Sequence, residues 1–407
     1  MVKILHSAVI LASLALGFPV IESVGEELCS MVPLSFEPAK TKYPELAFAI
    51  DAVEEYSIAA WYTDRQTEAE KKTMLERLVK NCPEDSRLTV VVYGIPNKDC
   101  SGGFSNAGSV KNTADYKKFL TQLTTAVGTR KVLYVVEPDS VGLLAEKDGC
   151  GAEAGYEENL EVAVGILSKN PNAELYVDVG YWIVDSPDKL VVVVSVIKKL
   201  SLSGKVKGIV LNTSNYRSNK QISELCAKFQ KAIGSTDMHC IADTSRNYLE
   251  PTSTDWCNVL PAGMGIPPTS ETEIANLDYF MWIKVPGESD GTCNGGPDAG
   301  LFFDEAFKTL WDEGYLVKEL GMNTIAQGGS GGSAGKGKSD YSPEQNTVAG
   351  EGDDEDTPAE TPSSETMTKT GNTPDDPDDA YFTPSEAPEV TPAAPVMNCK
   401  VKRRVRH

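Results

Sequence analysis

The sequence predicts an α/β fold, a distorted seven-stranded parallel β/α barrel of the TIM type, followed by a disordered acidic C-terminal tail. Two observations predict the barrel. Between residues 57 and 285 of the 407-residue chain, seven short runs of apolar or β-branched residues recur every 30 to 45 residues. Segments of helical length, with apolar residues three and four apart, lie between these runs. Because helices connect the strands, the strands are expected to be parallel.

The predicted elements follow one another in order along the chain. The strands are residues 57–61, 88–93, 131–136, 174–179, 207–211, 239–243 and 279–285. The helices include residues 67–81, 113–127, 156–170, 223–234 and 301–320. Seven strands with helical crossovers favour a closed barrel, and an open sheet with helices on both faces is the alternative. No glycine-rich nucleotide-binding fingerprint follows the first strand.

Three segments of different composition divide the chain. Residues 1–25 begin with a basic Lys3, an apolar run and small residues, which is typical of a secretory signal peptide. Residues 26–326 are expected to fold as one domain, and residues 327–407 to form a flexible Gly/Ser linker and a disordered Thr/Pro-rich tail. The apolar run 190–197 is too short to span a bilayer. We therefore expect a secreted, extracellular protein without a membrane span.

The tail carries most of the net charge of the chain. Residues 340–390 contain fifteen Asp or Glu residues and one basic residue, Lys369, which gives −14 of the −21 total. Residues 400–407 are basic. The domain that precedes the tail is only moderately acidic, and this argues against a nucleic-acid partner.

Polar residues follow nearly every predicted strand. In a β/α barrel the carboxyl ends of the strands form the catalytic face. A single aspartate there often caps the next helix, but a ring of them predicts a cleft lined by carboxylates. Such a cleft suits acid and base chemistry on a neutral, hydroxyl-rich substrate, because neighbouring carboxylates keep one of their number protonated. The strand-end residues are Asp64, Asp99, Asp139, Asp178, Asn212, Asp243, Arg246, Lys284, Glu288 and Asp290.

Aromatic residues near the same strand ends suit a sugar substrate, whose rings stack their C–H faces on aromatic side chains. Core packing is the alternative for each of them. The candidates are Trp61, Tyr93, Tyr181, Trp182, Trp256 and Trp282. The division of labour between two carboxylic groups is what glycoside hydrolysis requires.

Other kinds of catalysis are disfavoured. The chain has no G-x-S-x-G motif, and of its three histidines only His239, inside a predicted strand, could serve as a base. The scarcity of histidine and the absence of a C-x-x-C pair give no support for a zinc or iron site. The eight cysteines of the domain can pair in an oxidising compartment, so a nucleophilic cysteine is not expected.

Six motifs at the strand ends, in order, carry a resemblance to a known family. They are YGIPNKDCSGGFSNAG (93–108), VVEPDSVGLL (135–144), YVDVGYW (176–182), GIVLNTSNY (208–216), DWCNVLPAGMGIPP (255–268) and WIKVPGESDGT (282–292). They resemble glycoside hydrolase family 6, the inverting cellobiohydrolases and endoglucanases. The likeness covers residues 45–320, so residues 26–326 are expected to be a catalytic domain acting on a β-1,4-glucan such as cellulose or a cello-oligosaccharide.

The resemblance implies a role for each catalytic candidate. Asp139 matches the general acid, and Asp99 the aspartate that raises the acid's pKa and helps to order the attacking water. Asp290 matches the aspartate proposed as base. Tyr93 matches the tyrosine that distorts the sugar ring, and Ser105 the loop serine that holds the water. No metal or organic cofactor is implied, and a monomer is expected. Together with the strand-end Asp64, the expected substrate-binding residues are Trp61, Asp178, Asn212, Trp256, Lys284 and Glu288.

The resemblance also implies disulfides. Cys100 is expected to pair with Cys150 and Cys257 with Cys293, each tying down a loop that carries Asp99 or Asp290. Cys29 with Cys82 and Cys226 with Cys240 are then expected from the remaining cysteines. The one N-glycosylation sequon begins at the sugar-binding match Asn212 and is expected to be buried and unmodified.

Departures from the family pattern bear on the mode of cleavage. Lys98 replaces the usual arginine, Tyr181 stands where histidine is frequent, and the tryptophans that stack sugars on the leaving-group side are missing after GYW. The segment after Asp290 is too short to roof the cleft, which favours an open groove and endo-type cleavage. The alternatives are a cellobiohydrolase whose tunnel is closed by other loops, and a non-catalytic carbohydrate-binding or cell-wall protein on the same scaffold.

Overall fold

A computed structural model describes residues 25–251 and 254–329. Apart from Gly25 and residues 327–329, the expected signal peptide, linker and tail lie outside the described residues. In the described part, parallel strands form one sheet in the order β1-β3-β4-β5-β6-β7-β8, and β2 pairs with β3 as well. The strands are β1 (Leu28–Cys29), β2 (Ala60–Thr63), β3 (Arg87–Tyr93), β4 (Val132–Val136), β5 (Ala173–Asp178), β6 (Gly208–Leu211), β7 (His239–Asp243) and β8 (Leu277–Met281).

The sheet curves into a distorted barrel of the seven strands β2 to β8. β8 approaches β2 through a parallel bridge between Ile58 and Trp282. The backbone N–H of Ala59 donates to the Trp282 carbonyl at 3.0 Å in the same place. The short strand β1 adds to the lower part of β3, whereas β2 pairs with its upper part. The predicted seven-stranded parallel fold is therefore confirmed, with β1 as an addition.

Helices connect the strands, and side-chain caps fix where several of them begin. Thr67 and Glu70 form a reciprocal capping box at α3, and Asn112 accepts two backbone N–H bonds at α4. Four of the five helices predicted by periodicity are present, whereas the one predicted over residues 301–320 is divided into α10 and α11, with Gly314 preceding the second. The apolar run 190–197 lies in helix α8. The helices are α1 (Phe36–Lys42), α2 (Ala47–Glu54), α3 (Glu68–Asn81), α4 (Thr113–Val127), α5 (Ser140–Ala145), α6 (Tyr156–Leu167), α7 (Tyr181–Val184), α8 (Pro187–Ser203), α9 (Asn219–Ile233), α10 (Asp304–Asp312) and α11 (Tyr315–Lys318).

Alternation along the strands divides the core into two layers. In β3, Val90 and Val92 pack against the helices, whereas Val91 and Tyr93 pack inside the barrel. Both sets are buried, as expected for parallel strands covered by helices. Tyr93 is the last inward-pointing residue of its strand. The barrel interior is thus filled by side chains, and the space for a ligand begins above Tyr93.

Four disulfides cross-link the domain, and they are the four expected pairs. They join Cys29 to Cys82, Cys100 to Cys150, Cys226 to Cys240 and Cys257 to Cys293. Two of them anchor the segments that follow β3 and precede α10. Within residues 25–251 and 254–329, none of the helices has the length and apolar character needed to cross a membrane.

Candidate active site

A cavity of about 1390 Å³ lies at the carboxyl ends of the strands. Its wall contains nine of the twelve residues expected to act in catalysis or substrate binding. These are Trp61, Tyr93, Asp99, Ser105, Asp139, Trp256, Lys284, Glu288 and Asp290. The three that do not line it are Asp64, Asp178 and Asn212. Residues as far apart in sequence as Trp61 and Asp290 therefore meet at one site.

Asp139 follows β4 and precedes α5 with its backbone in the left-handed region, at φ 68°. Its backbone N–H donates to Asp178 Oδ1 at 2.8 Å, which holds this unfavourable conformation. Burial raises the pKa of the Asp139 carboxyl, and the nearby carboxylates of Asp178, Asp99 and Asp290 raise it further. Both causes favour the protonated form. Asp139 is therefore suited to donate a proton.

Asp99 lies at the start of a loop that folds over its own side chain. Its Oδ2 accepts the backbone N–H of Ser105 at 2.5 Å, and its carbonyl accepts that of Gly103 at 2.9 Å. A Cβ on Gly102 would lie 2.5 Å from Asp99 Oδ1, so the tight approach needs glycine. Among the described residues, no cation lies within ion-pair distance of Asp99. Asp99 lines the cavity, so its carboxylate can face a bound molecule there.

Asp290 is held between two cations. Its Oδ2 accepts from Arg246 Nη1 at 2.7 Å and from the backbone N–H of Asn258 at 2.9 Å, and Lys284 Nζ lies 3.0 Å from Oδ1. Burial alone would raise the pKa of Asp290, but Arg246 and Lys284 outweigh it and lower the pKa to about 2. Asp290 therefore stays ionised at any pH at which the protein is expected to work.

Asp64, Asp178 and Asn212 contact protein groups. Asp64 is 3% exposed and pairs with Lys98 at 2.5 Å, where the family's arginine is replaced. Asp178, 1% exposed, accepts hydrogen bonds from the Thr213 hydroxyl and from the Asp139 backbone. Asn212, fully buried, donates to the Asp243 carbonyl at 2.7 Å. Sugar binding by these three stays a prediction, and their visible contacts position the neighbouring loops.

Glu137 is a site residue that the sequence patterns did not single out, although it lies inside the VEPDS motif. It is fully buried and accepts hydrogen bonds from the backbone N–H groups of Gly94 and Ile95 and from the Tyr116 hydroxyl, at 2.6 to 3.1 Å. Burial raises its pKa to about 7. Glu137 thereby fastens the end of β3, which carries Tyr93, to the end of β4, which carries Asp139.

The expected sugar-stacking side of the cavity is built by β2, the loop after β7 and the N-terminal segment. Trp61 donates its indole N–H to the Ile283 carbonyl at 2.7 Å and packs edge-on against Tyr93. Trp256 is 47% exposed. Ser35 donates its hydroxyl to Glu288 at 2.7 Å, so the N-terminal segment helps to orient this carboxyl. Sequence patterns gave no sign that residues 31–43 line the cavity.

The loop after Asp99 and the short loop after Asp290 approach each other at the cavity. A Cβ on Gly291 would lie 2.6 Å from the Phe104 ring, and Phe104 also packs against Trp256, with ring centroids 6.1 Å apart. Arg65 donates to the Ser105 hydroxyl at 3.4 Å and to the Ala299 carbonyl at 3.3 Å, which links the two loops. The short loop after Asp290 thus contacts the loop after Asp99, and the sequence did not predict this contact.

No group of three or more His, Cys, Asp or Glu side chains in the described part of the chain is placed to hold a metal ion. The site consists of carboxylates, two paired cations and aromatic rings. Its acids differ sharply in protonation, as acid and base catalysis on a glycosidic bond requires.

Comparison with known proteins agrees with this chemistry. The model of the glycosyl hydrolases family 6 matches residues 34–314. Endoglucanase A of Cellulomonas fimi is 30% identical over 258 residues, which are 63% of this chain and 50% of that protein. The probable 1,4-beta-D-glucan cellobiohydrolase C of Aspergillus niger is 30% identical over 273 residues, 56% of this chain and 59% of that protein. The chain therefore spans only about half to three fifths of the length of these relatives.

Solved structures share the fold. The endoglucanase Cel6 of Mycobacterium tuberculosis superposes with a TM-score of 0.59 at 24% identity, covering 70% of this chain and 97% of that one. The catalytic core of the cellobiohydrolase Cel6A of Chaetomium thermophilum gives a TM-score of 0.61 at 22% identity, covering 72% and 98%. With the family model matching more than half of its residues, the chain belongs to the glycosyl hydrolases of family 6.

Proposed function

We propose that this protein is a secreted glycoside hydrolase that cleaves β-1,4-glucosidic bonds of cellulose or a related β-glucan with inversion of configuration. The observation that carries the proposal is the contrast within one cavity between Asp139, whose pKa is raised by burial and by three aspartates, and Asp290, whose pKa is lowered to about 2. Glycoside hydrolysis needs one carboxyl group that stays protonated beside others that stay ionised, and this contrast supports the presence of both states in one cavity.

In the proposed mechanism Asp139 donates its proton to the glycosidic oxygen as the bond from that oxygen to the anomeric carbon breaks. A water molecule attacks the anomeric carbon from the opposite face and gives up a proton. Two other aspartates of the cavity are candidates to receive this proton, Asp99 and Asp290. The two cations on Asp290 make it the weaker base. We therefore assign the proton to Asp99, with Ser105 holding the water and Asp290 acting as an ionised neighbour that raises the pKa of Asp139.

This assignment conserves charge within the site. As Asp139 loses its proton, Asp99 gains one, so the number of negative charges around the sugar does not change during the reaction. The carboxylate of Asp99 also raises the pKa of Asp139 before the reaction begins. In this proposal Tyr93, which is buried and close enough to Asp139 and Asp99 for their charges to raise its pKa, presses on the sugar ring at the cleavage site.

Endo-type cleavage in an open groove is supported by the short segment between Asp290 and α10. The exo-acting alternative is supported by a different observation, the Arg65 bridge between the Ser105 loop and Ala299, which narrows the cavity. Secretion is supported by the four disulfides, because such bonds persist in oxidising compartments.

Proton NMR of cellohexaose hydrolysis, recorded at early times, tests the proposal. Initial α-anomers with products of several lengths would support an inverting endoglucanase. Cellobiose released alone as the α-anomer would favour the exo-acting alternative. Initial β-anomers, or binding without cleavage by the full chain, would contradict the proposed function.

A further inference from the structure

The loop that carries Asp99 and Ser105, which we call the Asp99 loop (residues 99–109), has little core of its own. From residue 101 to residue 109, only Ser105 and Gly108 are partly buried, and the other side chains are exposed. The disulfide at Cys100 fixes the start of the loop. Because exposed segments with few buried contacts open easily, the position of Asp99 depends on what holds the far end of the loop.

A buried ion pair joins the two ends of the Asp99 loop. Lys98 directly precedes the loop, and its Nζ lies 2.5 Å from Asp64 Oδ1. Asp64 is 3% exposed and Lys98 is 2% exposed. The same Nζ donates to the carbonyl of Ala107 at 3.0 Å, near the end of the loop. A single cation therefore holds the start of the loop through its own backbone and the end of the loop through Ala107.

Asp64 holds the end of the loop as well. Its Oδ2 accepts the backbone N–H of Val110 at 2.9 Å. Its carbonyl accepts the backbone N–H and the hydroxyl of Ser109, at 3.0 and 3.1 Å. A Cβ on Gly108 would collide with the Asp64 carboxylate, so the backbone of the loop packs directly on this group. Because Asp64 follows β2, these contacts attach the loop to the barrel.

The ion pair also lies next to two residues of the proposed mechanism. Lys98 Nζ lies over the face of the Tyr93 ring, 5.7 Å from its centroid. Arg65, which follows Asp64 in the chain, donates to the Ser105 hydroxyl at 3.4 Å. A displacement of the ion pair is therefore expected to move both Tyr93 and Ser105.

We propose that the Lys98–Asp64 ion pair positions Asp99 and Ser105 against the attacking water, so that Lys98 and Asp64 are positioning residues of the reaction. This inference rests on the proposed function. Neither side chain lines the cavity, and both act through the Asp99 loop. Because an unpaired buried charge is costly, the pair favours one arrangement of the two loop ends. A displacement of about 1 Å at the reacting groups can lower a rate about 100-fold.

Two variants of the full chain separate positioning from stability. Lys98→Met removes the bond to Ala107 and leaves Asp64 as an unpaired buried charge, so we expect both the melting temperature and kcat on cellotetraose to fall. Adding Asp64→Asn neutralises that charge, and the melting temperature is expected to return close to the wild-type value. In this double variant kcat should remain about tenfold or more below wild type, with a smaller change in KM.

A second substrate, β-cellobiosyl fluoride, identifies the step that is affected. Fluoride leaves with less help from an acid than a sugar does, whereas attack by water still requires Asp99 and Ser105. The double variant is therefore expected to lose kcat/KM on the fluoride and on cellotetraose by similar factors. Asp139→Asn, which removes the proposed acid, should lose much less on the fluoride than on cellotetraose.

The matched control is a buried cation at the other end of β3. Arg87, the first residue of β3, is 8% exposed and pairs with Glu26 at 2.5 Å. Arg87→Met is expected to lower the melting temperature and to leave kcat near its wild-type value, when all variants are assayed well below their melting temperatures. A loss of kcat in this control equal to that of Lys98→Met would overturn the inference.

Wild-type kcat in the stable double variant would also overturn the inference, while the proposed function would stand. Asp64→Asn alone keeps the volume of the side chain and weakens the ion pair, so we expect kcat to fall by a smaller factor than in the double variant. Unchanged kcat in this mild variant would contradict the positioning role even if Lys98→Met does not fold. Wild-type protein inactive on both substrates would contradict the proposed function itself.

Discussion

Asp139 and Asp290 carry the same side chain in the same cavity, yet their surroundings drive their pKa values in opposite directions. Around Asp139 burial and three other carboxylates oppose ionisation. Around Asp290, Arg246 and Lys284 lie within 3.0 Å of the carboxylate oxygens and outweigh burial. The comparison indicates that the placement of charged neighbours, more than residue type or burial, decides which of the two aspartates favours its protonated form.

The supports of the two regions differ as well. Two carboxylates hold Asp139 in position. Asp178 accepts the backbone N–H of Asp139, and Glu137 fastens the end of β4 to the end of β3. Asp290 is held by cations and by the backbone N–H of Asn258. The surroundings of Asp139 therefore lower the stability of the fold at neutral pH, whereas those of Asp290 raise it.

The largest expected effect is the loss of activity on replacing Asp139. Asp139→Asn removes the transferable proton, and we expect kcat on cellotetraose to fall about 10²- to 10⁴-fold. Glucan binding should remain close to wild type, as measured by calorimetry. Turnover near that of the wild type would show that another group is the acid.

Although Asp139→Asn lowers activity, we expect it to leave stability unchanged or to raise it. The folded protein raises the pKa of Asp139, so wild type loses stability as pH rises from the ordinary aspartate range, about 4, to the raised value. Asn does not ionise. Asp139→Asn should therefore melt at an equal or higher temperature than wild type at pH 7, with the difference vanishing below about pH 4. A lower melting temperature at pH 7 would argue against this carboxyl being strained.

Removing Arg246 should destabilise the protein, because Asp290 then loses one of its two cations. Arg246→Met leaves Asp290 buried with one cation in place of two, and we expect unfolding by urea to show a loss of about 3 kcal/mol together with reduced turnover. Removing Lys199, an exposed partner of Glu161, is the control and should leave the free energy of unfolding almost unchanged. Equal effects of the two substitutions would show that the buried pair has no special weight.

The link between β3 and β4 can be tested by two substitutions of one cluster. Glu137→Leu leaves the N–H groups of Gly94 and Ile95 without acceptors, which should shift Tyr93 relative to Asp139 and lower kcat about tenfold or more, with a smaller change in KM. Tyr116→Phe removes one hydrogen bond to Glu137 and keeps both backbone bonds, so it should mainly lower the melting temperature. Parallel losses of kcat in both variants would reduce Glu137 to a structural role.

The smallest expected effect is a shift of the pH profile. Activity requires protonated Asp139, so kcat/KM should fall as pH rises through its pKa, while Asp290, with a pKa of about 2, adds no loss between pH 4 and 6. Asp178→Asn removes a charge that raises the pKa of Asp139, and the alkaline fall should move to lower pH. An unchanged pH profile would show that Asp178 does not raise the pKa of Asp139.

Strand-end position and motif predicted twelve site residues, of which nine line the cavity. Asp99, Asp139 and Asp290 follow different strands, and a parallel barrel necessarily gathers them. Strand-end position does not show which of these side chains line the cavity. Asp64, for example, follows its strand as expected but forms an ion pair with Lys98. Contacts remote in sequence were also beyond reach, as Ser35 on Glu288 illustrates.

Direct titration of the two carboxyl groups tests the central claim. Carbon-13 NMR of aspartate-labelled protein, with signals assigned from Asp139→Asn and Asp290→Asn, follows each group against pH. We predict that at pH 5 the Asp139 carboxyl is protonated and the Asp290 carboxyl is ionised, with Asp290 titrating only near pH 2. If Asp139 is already ionised at pH 5, or if both groups titrate together near the ordinary value of an aspartate, the proposed division of roles is wrong.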